Sequence, residues 1–322
     1  MSRSVILLSL GLLIAVPLSL LAGRVWLDPW TTPNAALILA ELRLPRAFLA
    51  LTIGAGLGAS GAAMQGFLRN PLADPGLFGI APGAALGAVI ALYFSAASMW
   101  TVSLFALAGG GGAMALLALI AGRTANGPQG IALFTLAGMM IASLTGALTS
   151  LVISLAPNAF ALSAIVTWLM GALTDRSWQD VALAAPLTLA GIALLRAAGT
   201  SLDALTLGSD AARSLGVRPG RLMALMVVGT GLAVGSGVAV AGIVGFVGLI
   251  VPHLVRPLTD RRPSSLILPS ALAGALLVLV ADMVCRVLPL VTELRLGIAL
   301  SLIGAPFFVH LLLRMRKSAG SQ

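Results

Sequence analysis

The chain has 322 residues, 59% hydrophobic and only 9% charged, with a formal net charge of +9 and a mean hydropathy of +1.07. Water-soluble domains keep roughly a quarter of their residues charged, so this composition excludes a single soluble core. The positive balance does not point to nucleic acid: all but Lys317 of the 19 basic residues are Arg, scattered between apolar runs without a basic stripe or aromatic platform.

An apolar run of about 20 residues crosses the roughly 30 Å hydrocarbon layer as a helix. Long runs, as opposed to short alternating ones, exclude a closed barrel. The sequence therefore predicts an all-α polytopic membrane protein with about ten spans, near 4–23, 46–66, 76–96, 100–121, 130–155, 179–198, 221–240, 242–257, 265–287 and 296–314. The first is longer than the apolar region of a signal peptide and lacks a small-x-small cleavage site, so it is expected to be a retained span. The eighth is glycine-rich and ends in "VPH", which makes it the least regular crossing. The single cysteine, Cys285, excludes an internal disulfide.

With a cytoplasmic N-terminus and alternating spans, Arg24, Arg43, Arg46, Arg176, Arg286 and Arg295 fall on the outer side and the other thirteen basic residues, Arg123 among them, on the cytoplasmic side. All five tryptophans (Trp26, Trp30, Trp100, Trp168 and Trp178) also fall outside, where indole rings favour the headgroup layer. Loop charge and aromatic placement agree on an N-in, C-in topology.

Three stretches stand out from the spans. "MQGFLRNPLADPGLFGIAPGA", 64–84, breaks the apolar pattern with Gln65, Arg69, Asn70, Asp74 and three prolines. The outer segment 156–178 is apolar enough to lie in the membrane surface or dip into it. In the cytoplasmic segment 200–221, Asp203 and Asp210 sit near helix starts, "DAARSLG" reads as a short helix stopped by Gly216, and Pro219 ends the unit.

Nucleotide patterns are absent in substance. "GLGASG", 56–61, lies inside an apolar span where G-x-G-x-x-G lacks its strand, and Gly54 and Gly58 instead form a small-xxx-small packing face. "GGGG", 109–112, lacks the Lys-Ser/Thr of a phosphate loop. His253 and His310 are lone and far apart, so no metal site is expected. Asp282 lies within the ninth span with Arg286 one turn later, which reads either as an i,i+4 ion pair or as a group with a direct part in transport. "ELRLPR", 41–46, puts Arg43 and Arg46 at the outer mouth of the second span, with Arg286 expected at the same level. Snorkelling explains such residues. So does a docking face for an acidic partner, since outer arginines run against the loop-charge bias and Arg is suited to bidentate capture of carboxylates.

"LRLPR", "GASGAAMQGFLRNPLADPGLFGIAPGAALGA", "LDALTLGSDAARSLGV", "AGIVGFVGLIVPHLVRPL" and "LGIALSLIGAPFF", in that order over nearly the whole chain, resemble the permease subunits of the ABC importers for iron–siderophore, cobalamin and heme. The resemblance implies a type II importer permease, one transmembrane domain over 1–322, working as a homodimer in the bacterial inner membrane. It implies two cytoplasmic ATP-binding subunits, which hold ATP and Mg, and a periplasmic substrate-binding protein; no catalytic residue or cofactor is expected on this chain. Asp203, Ser209, Asp210, Arg213 and Gly216 match the stretch that docks on the ATPase. Arg43, Arg46 and Arg286 match arginines that pair with carboxylates of the binding protein. The break at Asn70, Pro71 and Leu72 is then expected at the cytoplasmic mouth of the pathway: irregular backbone at membrane depth needs protein or a cavity around it, and Leu72 is read as a gate, with an ordinary turn as the alternative.

Two positions depart from the family pattern: Arg295 replaces a proline in "ELRLG" and Arg261 replaces a histidine in "LTDRRPSS". Neither change has a physical explanation in the sequence. Of the other function classes, an ion-coupled secondary transporter needs titratable groups along its pathway, and of ten acidic residues only Asp282 falls inside a predicted span. An intramembrane enzyme needs a nucleophile, paired-carboxylate or metal constellation that the chain lacks. Among cargoes, the expectation is an iron–siderophore complex, with heme and cobalamin as alternatives.

Overall fold

The computed structural model describes residues 3–94, 98–122 and 130–319; Arg123, counted above on the cytoplasmic side, lies outside them. Among these residues the regular elements are all helical: α1 (Arg3–Leu21), α2 (Ala35–Ile38), α3 (Leu44–Leu68), α4 (Ile80–Tyr93), α5 (Met99–Gly122), α6 (Gly130–Ser154), α7 (Ala159–Leu169), α8 (Trp178–Ala197), α9 (Gly199–Leu205), α10 (Ser209–Ser214), α11 (Pro219–Ala241), α12 (Val247–Val255), α13 (Pro263–Val287) and α14 (Leu296–Ala319). Among the described residues, eight helices are long and apolar enough to cross a membrane, and 80–93, 159–169 and 247–258 are shorter apolar helices.

The expected third and eighth spans are thus shorter than their apolar runs. Residues 242–246, apolar like their neighbours, leave the helix with Gly242 and Phe246 at positive φ, and a 3₁₀ turn over Pro75–Phe78 takes the start of the third run. The second span is longer than expected. Helix continues back to Ala35 through a π-helical segment at Leu39–Arg43. Pro45 lies in the first turn of α3, a position that suits proline. It also lacks an N–H and crowds the carbonyl four residues back, and the wider π turn falls over that stretch.

α3 and α11 are the central helices, largely buried, whereas α1, α5, α6, α8 and α14 turn apolar faces outward. Such faces suit lipid or another membrane subunit, because lipid tails are as apolar as leucine. α3 packs along α13, and the small-residue face does bring their backbones together: a Cβ at Gly54 would collide with the Gly274 carbonyl, and one at Gly58 with that of Ser270.

Candidate functional site

α3 runs from Leu44 to Leu68 while α13 runs from Pro263 to Val287, so this antiparallel pair defines two ends of the bundle. By the loop-charge orientation the first holds Arg46 and Arg286 and faces outward; the second holds Arg69 and Ser264 and faces the cytoplasm.

At the outer end Asp282 is the hub. Arg46 meets it fork to carboxylate, with Nε 3.1 Å from each Asp282 oxygen and Nη2 2.9 Å from Oδ1. Arg286 Nε lies 3.1 Å from Oδ2, one turn along the same helix. The second guanidinium edge of Arg286 is held by Ser19 Oγ of α1 at 2.7 Å and by the carbonyl of Ala22, just past its end, at 3.1 Å. Arg43 also donates to the Ala22 carbonyl. Asp282 is 1% exposed, and the two guanidiniums are its counter-charges. The i,i+4 pair expected from sequence is present; the closer partner, Arg46, comes from a helix 236 residues away.

A second carboxylate reaches the same guanidinium. Glu293, in the loop between α13 and α14, places Oε2 2.9 Å from Arg46 Nη2 and accepts the Thr174 hydroxyl at 3.3 Å. Its side chain is 26% exposed, against 11% for Arg46. Burial pushes the Glu293 carboxyl up, but the hydrogen bond and charge of Arg46 outweigh it and hold the group below its ordinary value. Arg24 fastens the same loop by donating to the carbonyls of Leu290 and Val291, the latter at 2.6 Å.

These residues surround a cavity of about 290 Å³, and five of the six outer basic residues (Arg24, Arg43, Arg46, Arg176 and Arg286) line it. Arg295, the first departure, adds charge beside it. Burial first, and the Arg295 charge among smaller causes, keep Arg176 below the ordinary guanidinium value against the opposing pull of Asp180 and Asp175. The structure therefore brings the three expected docking arginines together. Arg286 is buried and held by internal partners, Arg46 is nearly so, and Arg43 is half-buried.

At the cytoplasmic end α3 stops at Arg69, which takes positive φ where glycine is usual. Asn70 N–H returns to the Gln65 carbonyl at 3.1 Å, and Asn70 Oδ1 accepts the Leu72 N–H at 2.9 Å. Asp74 Oδ1 accepts the Gly76 N–H at 2.7 Å. The loop is seated against α12, where Pro75 touches Gly248, and Arg256 Nη2 donates to Gln65 Oε1 at 2.9 Å. The break expected at Asn70–Pro75 is therefore an ordered unit. A cavity of about 140 Å³ lies between it and the broken stretch 243–246, with Asp74, Val244 and Phe246 in its wall; Leu72 is half-buried outside that wall.

The 200–221 segment divides into two kinds of residue. Asp203 is turned inward: Oδ1 accepts the Ser264 N–H at 2.9 Å and Oδ2 the Ser264 hydroxyl, so it caps the start of α13. Asp210 is 100% exposed with Arg213 4.0 Å away. Gly208 and Gly216, both at positive φ, bracket α10, and Leu207 and Leu215 are exposed beside it. Among the described residues no three of His, Cys, Asp and Glu are grouped to hold a metal; His253 packs edge to face on Phe307 at 5.9 Å.

Among the described residues the chain is a multi-pass helical bundle whose apolar course is interrupted at 69–79 and 242–246. The model of the FecCD transport family matches residues 11–314, and the chain belongs to that family. It is 36% identical over 319 residues to the vitamin B12 import system permease protein BtuC of Salmonella typhimurium, covering 97% of this chain and 95% of that one. It is 37% identical over 288 residues to the uncharacterized ABC transporter permease YvrB of Bacillus subtilis, covering 88% and 81%. Among solved structures, one described as an inward-facing metal-chelate type ABC transporter superposes with a TM-score of 0.88 at 33% identity, covering 96% of this chain and 98% of that one. The chain is thus an ABC importer permease of this family.

Proposed function

We propose that the chain moves an intact metal chelate across the bacterial inner membrane as the non-catalytic half of a binding-protein-dependent importer. ATP hydrolysis takes place on a partner subunit seated at the cytoplasmic end, and two permease copies frame the pathway. The observation that carries this reading is the full-length match, in sequence and backbone, to permeases of this one family. Asp210, Arg213 and Gly216, with Ser209 at the start of α10, form the exposed unit that couples to the ATPase, and Asp203 positions it by tying α9 to α13. Arg43 and Arg46, backed by Arg286, receive carboxylates of the binding protein at the outer cavity. Leu72 closes the inner exit.

The cargo is an iron–siderophore complex on the family resemblance. Cobalamin is the second reading, favoured by the named substrate of the Salmonella relatives. The test is uptake of labelled ferric siderophore, cobalamin and heme in cells without their own permeases, supplied with this chain, its ATPase and its binding protein. ATP-dependent accumulation of one chelate supports the reading. An assembled complex that accumulates none of the three overturns the choice of cargo.

A further inference from the structure

The Arg46 guanidinium holds two carboxylates of different character. Asp282 is buried on a helix and bound through both oxygens. Glu293 is on a loop, a quarter exposed, bound through one oxygen, and borders the open cavity. The first cannot leave without stranding buried charge. The second can exchange, because a partly solvated, single-point pair is worth little net free energy.

We propose that Glu293 is an internal stand-in for the partner's carboxylate: it occupies Arg46 Nη2 in the free permease and is displaced when an acidic side chain of the binding protein enters the cavity. This rests on the docking role of the outer arginines given above and adds the regulation of that site. Three features of the geometry support it. Asp282 takes Nε and one contact on Nη2 while Glu293 takes the other contact on Nη2, so a carboxylate entering at that nitrogen meets Glu293. The cavity, at about 290 Å³, has room for a carboxylate side chain. The displaced group stays in register, because Arg24 holds its loop at Leu290 and Val291 and that loop runs directly into α14 at Leu296. Exchange on Arg46 thus acts on the start of a spanning helix, which gives docking a route into the membrane.

A stand-in has an unusual sign. Removing a purely structural ion pair weakens or leaves unchanged the binding of a partner, whereas removing a competitor strengthens it. The experiment uses the permease–ATPase complex in nanodiscs and, as probe, the substrate-binding protein that supports uptake through this permease. Glu293→Gln is expected to tighten binding by roughly fivefold, the size of one partly exposed ion pair. Thr174→Val, which frees Glu293 from its other partner, is expected to tighten it less. Arg43→Glu is expected to weaken it at least tenfold. Tightening by Glu293→Gln, or by Thr174→Val should the first variant not fold, supports the stand-in. Weaker or unchanged binding in the folded variant overturns it while Arg43→Glu still weakens docking. Indifference to Arg43→Glu overturns the docking reading itself, whatever Glu293 does.

Discussion

Arg46 in the first turn of α3 and Asp282 near the end of α13 form a fork-to-carboxylate pair, with Nη2 2.9 Å from Oδ1 and Nε 3.1 Å from both oxygens. The pair closes the outer end of the two helices whose glycine face brings them closest, and Arg286 adds a third charge from the same end.

Asp282→Ala leaves two arginines buried without their shared counter-charge. Removing one partner of a buried pair costs about 3–5 kcal/mol, and the expected result is a large fall in the thermal midpoint of the purified permease. Adding Arg46→Met to that variant is expected to recover part of the loss, because an apolar side chain of similar length does not need the carboxylate. A midpoint unchanged in Asp282→Ala, with transport lost, would instead favour a direct part for Asp282 in transport.

At Gly54 the neighbouring backbone leaves no room for a side chain, with the Gly274 carbonyl against it and Ala275 Cα 2.8 Å from an added Cβ. Gly54→Val is expected to destabilise by 1–3 kcal/mol or more through overpacking, read as a lower melting midpoint. Gly111→Val, on an α5 site with nothing within 4 Å, is the control expected to leave the midpoint nearly unchanged.

Much of this arrangement is legible in the sequence. Hydrophobic length gives the long spans, the Gly54–Gly58 spacing gives a packing face, and Asp282 and Arg286 are one turn apart. Arg46 and Glu293 as partners of the same network are not legible, since they lie 236 and 11 residues from Asp282 with no periodicity linking them. The short α12 is hidden for another reason: 242–246 is apolar, and hydropathy cannot distinguish a helix from an unwound stretch sheltered by protein. The inward turn of Asp203 is missed because its partner, Ser264, starts a distant helix, and the helix-start signal at "TSLD" accounted for the residue locally.

The cytoplasmic segment separates capping from coupling. Asp203→Ala removes the cap on α13 and is expected to lower stability by about 1 kcal/mol. Asp210→Ala and Arg213→Glu, on the exposed surface, are expected to leave the melting midpoint within a degree or two and to reduce transport. Co-purification of the ATPase with each variant distinguishes the two effects: retention by every surface variant at wild-type transport would contradict their assignment to coupling.

Glu293 is held below its ordinary value by Arg46 against the opposing effect of burial. A carboxylate with a depressed folded-state value contributes stability above its unfolded value and loses it as pH falls through the folded one. The melting midpoint is therefore expected to fall as pH drops below the ordinary glutamate range, and the fall is expected to be smaller in Glu293→Gln. Identical pH profiles would show that the pair adds nothing to the fold.

Leu72 sits at the tip of the ordered break, with its N–H held by Asn70. If it closes the inner exit, Leu72→Ser raises passive leak of a small polar dye from liposomes holding the permease–ATPase complex, without changing its assembly. Leak equal to wild type would leave Asn70–Leu72 as a turn between spans.

The central claim is that this chain imports a chelate only when coupled to ATP and a binding protein. It is tested most directly in proteoliposomes holding the permease with its ATPase, with binding protein loaded with ferric siderophore or cobalamin outside and ATP sealed inside. The account predicts accumulation of one labelled chelate that requires both ATP and binding protein and stops when the ATPase cannot hydrolyse. Accumulation that follows an imposed ion gradient with no need of ATP would contradict it.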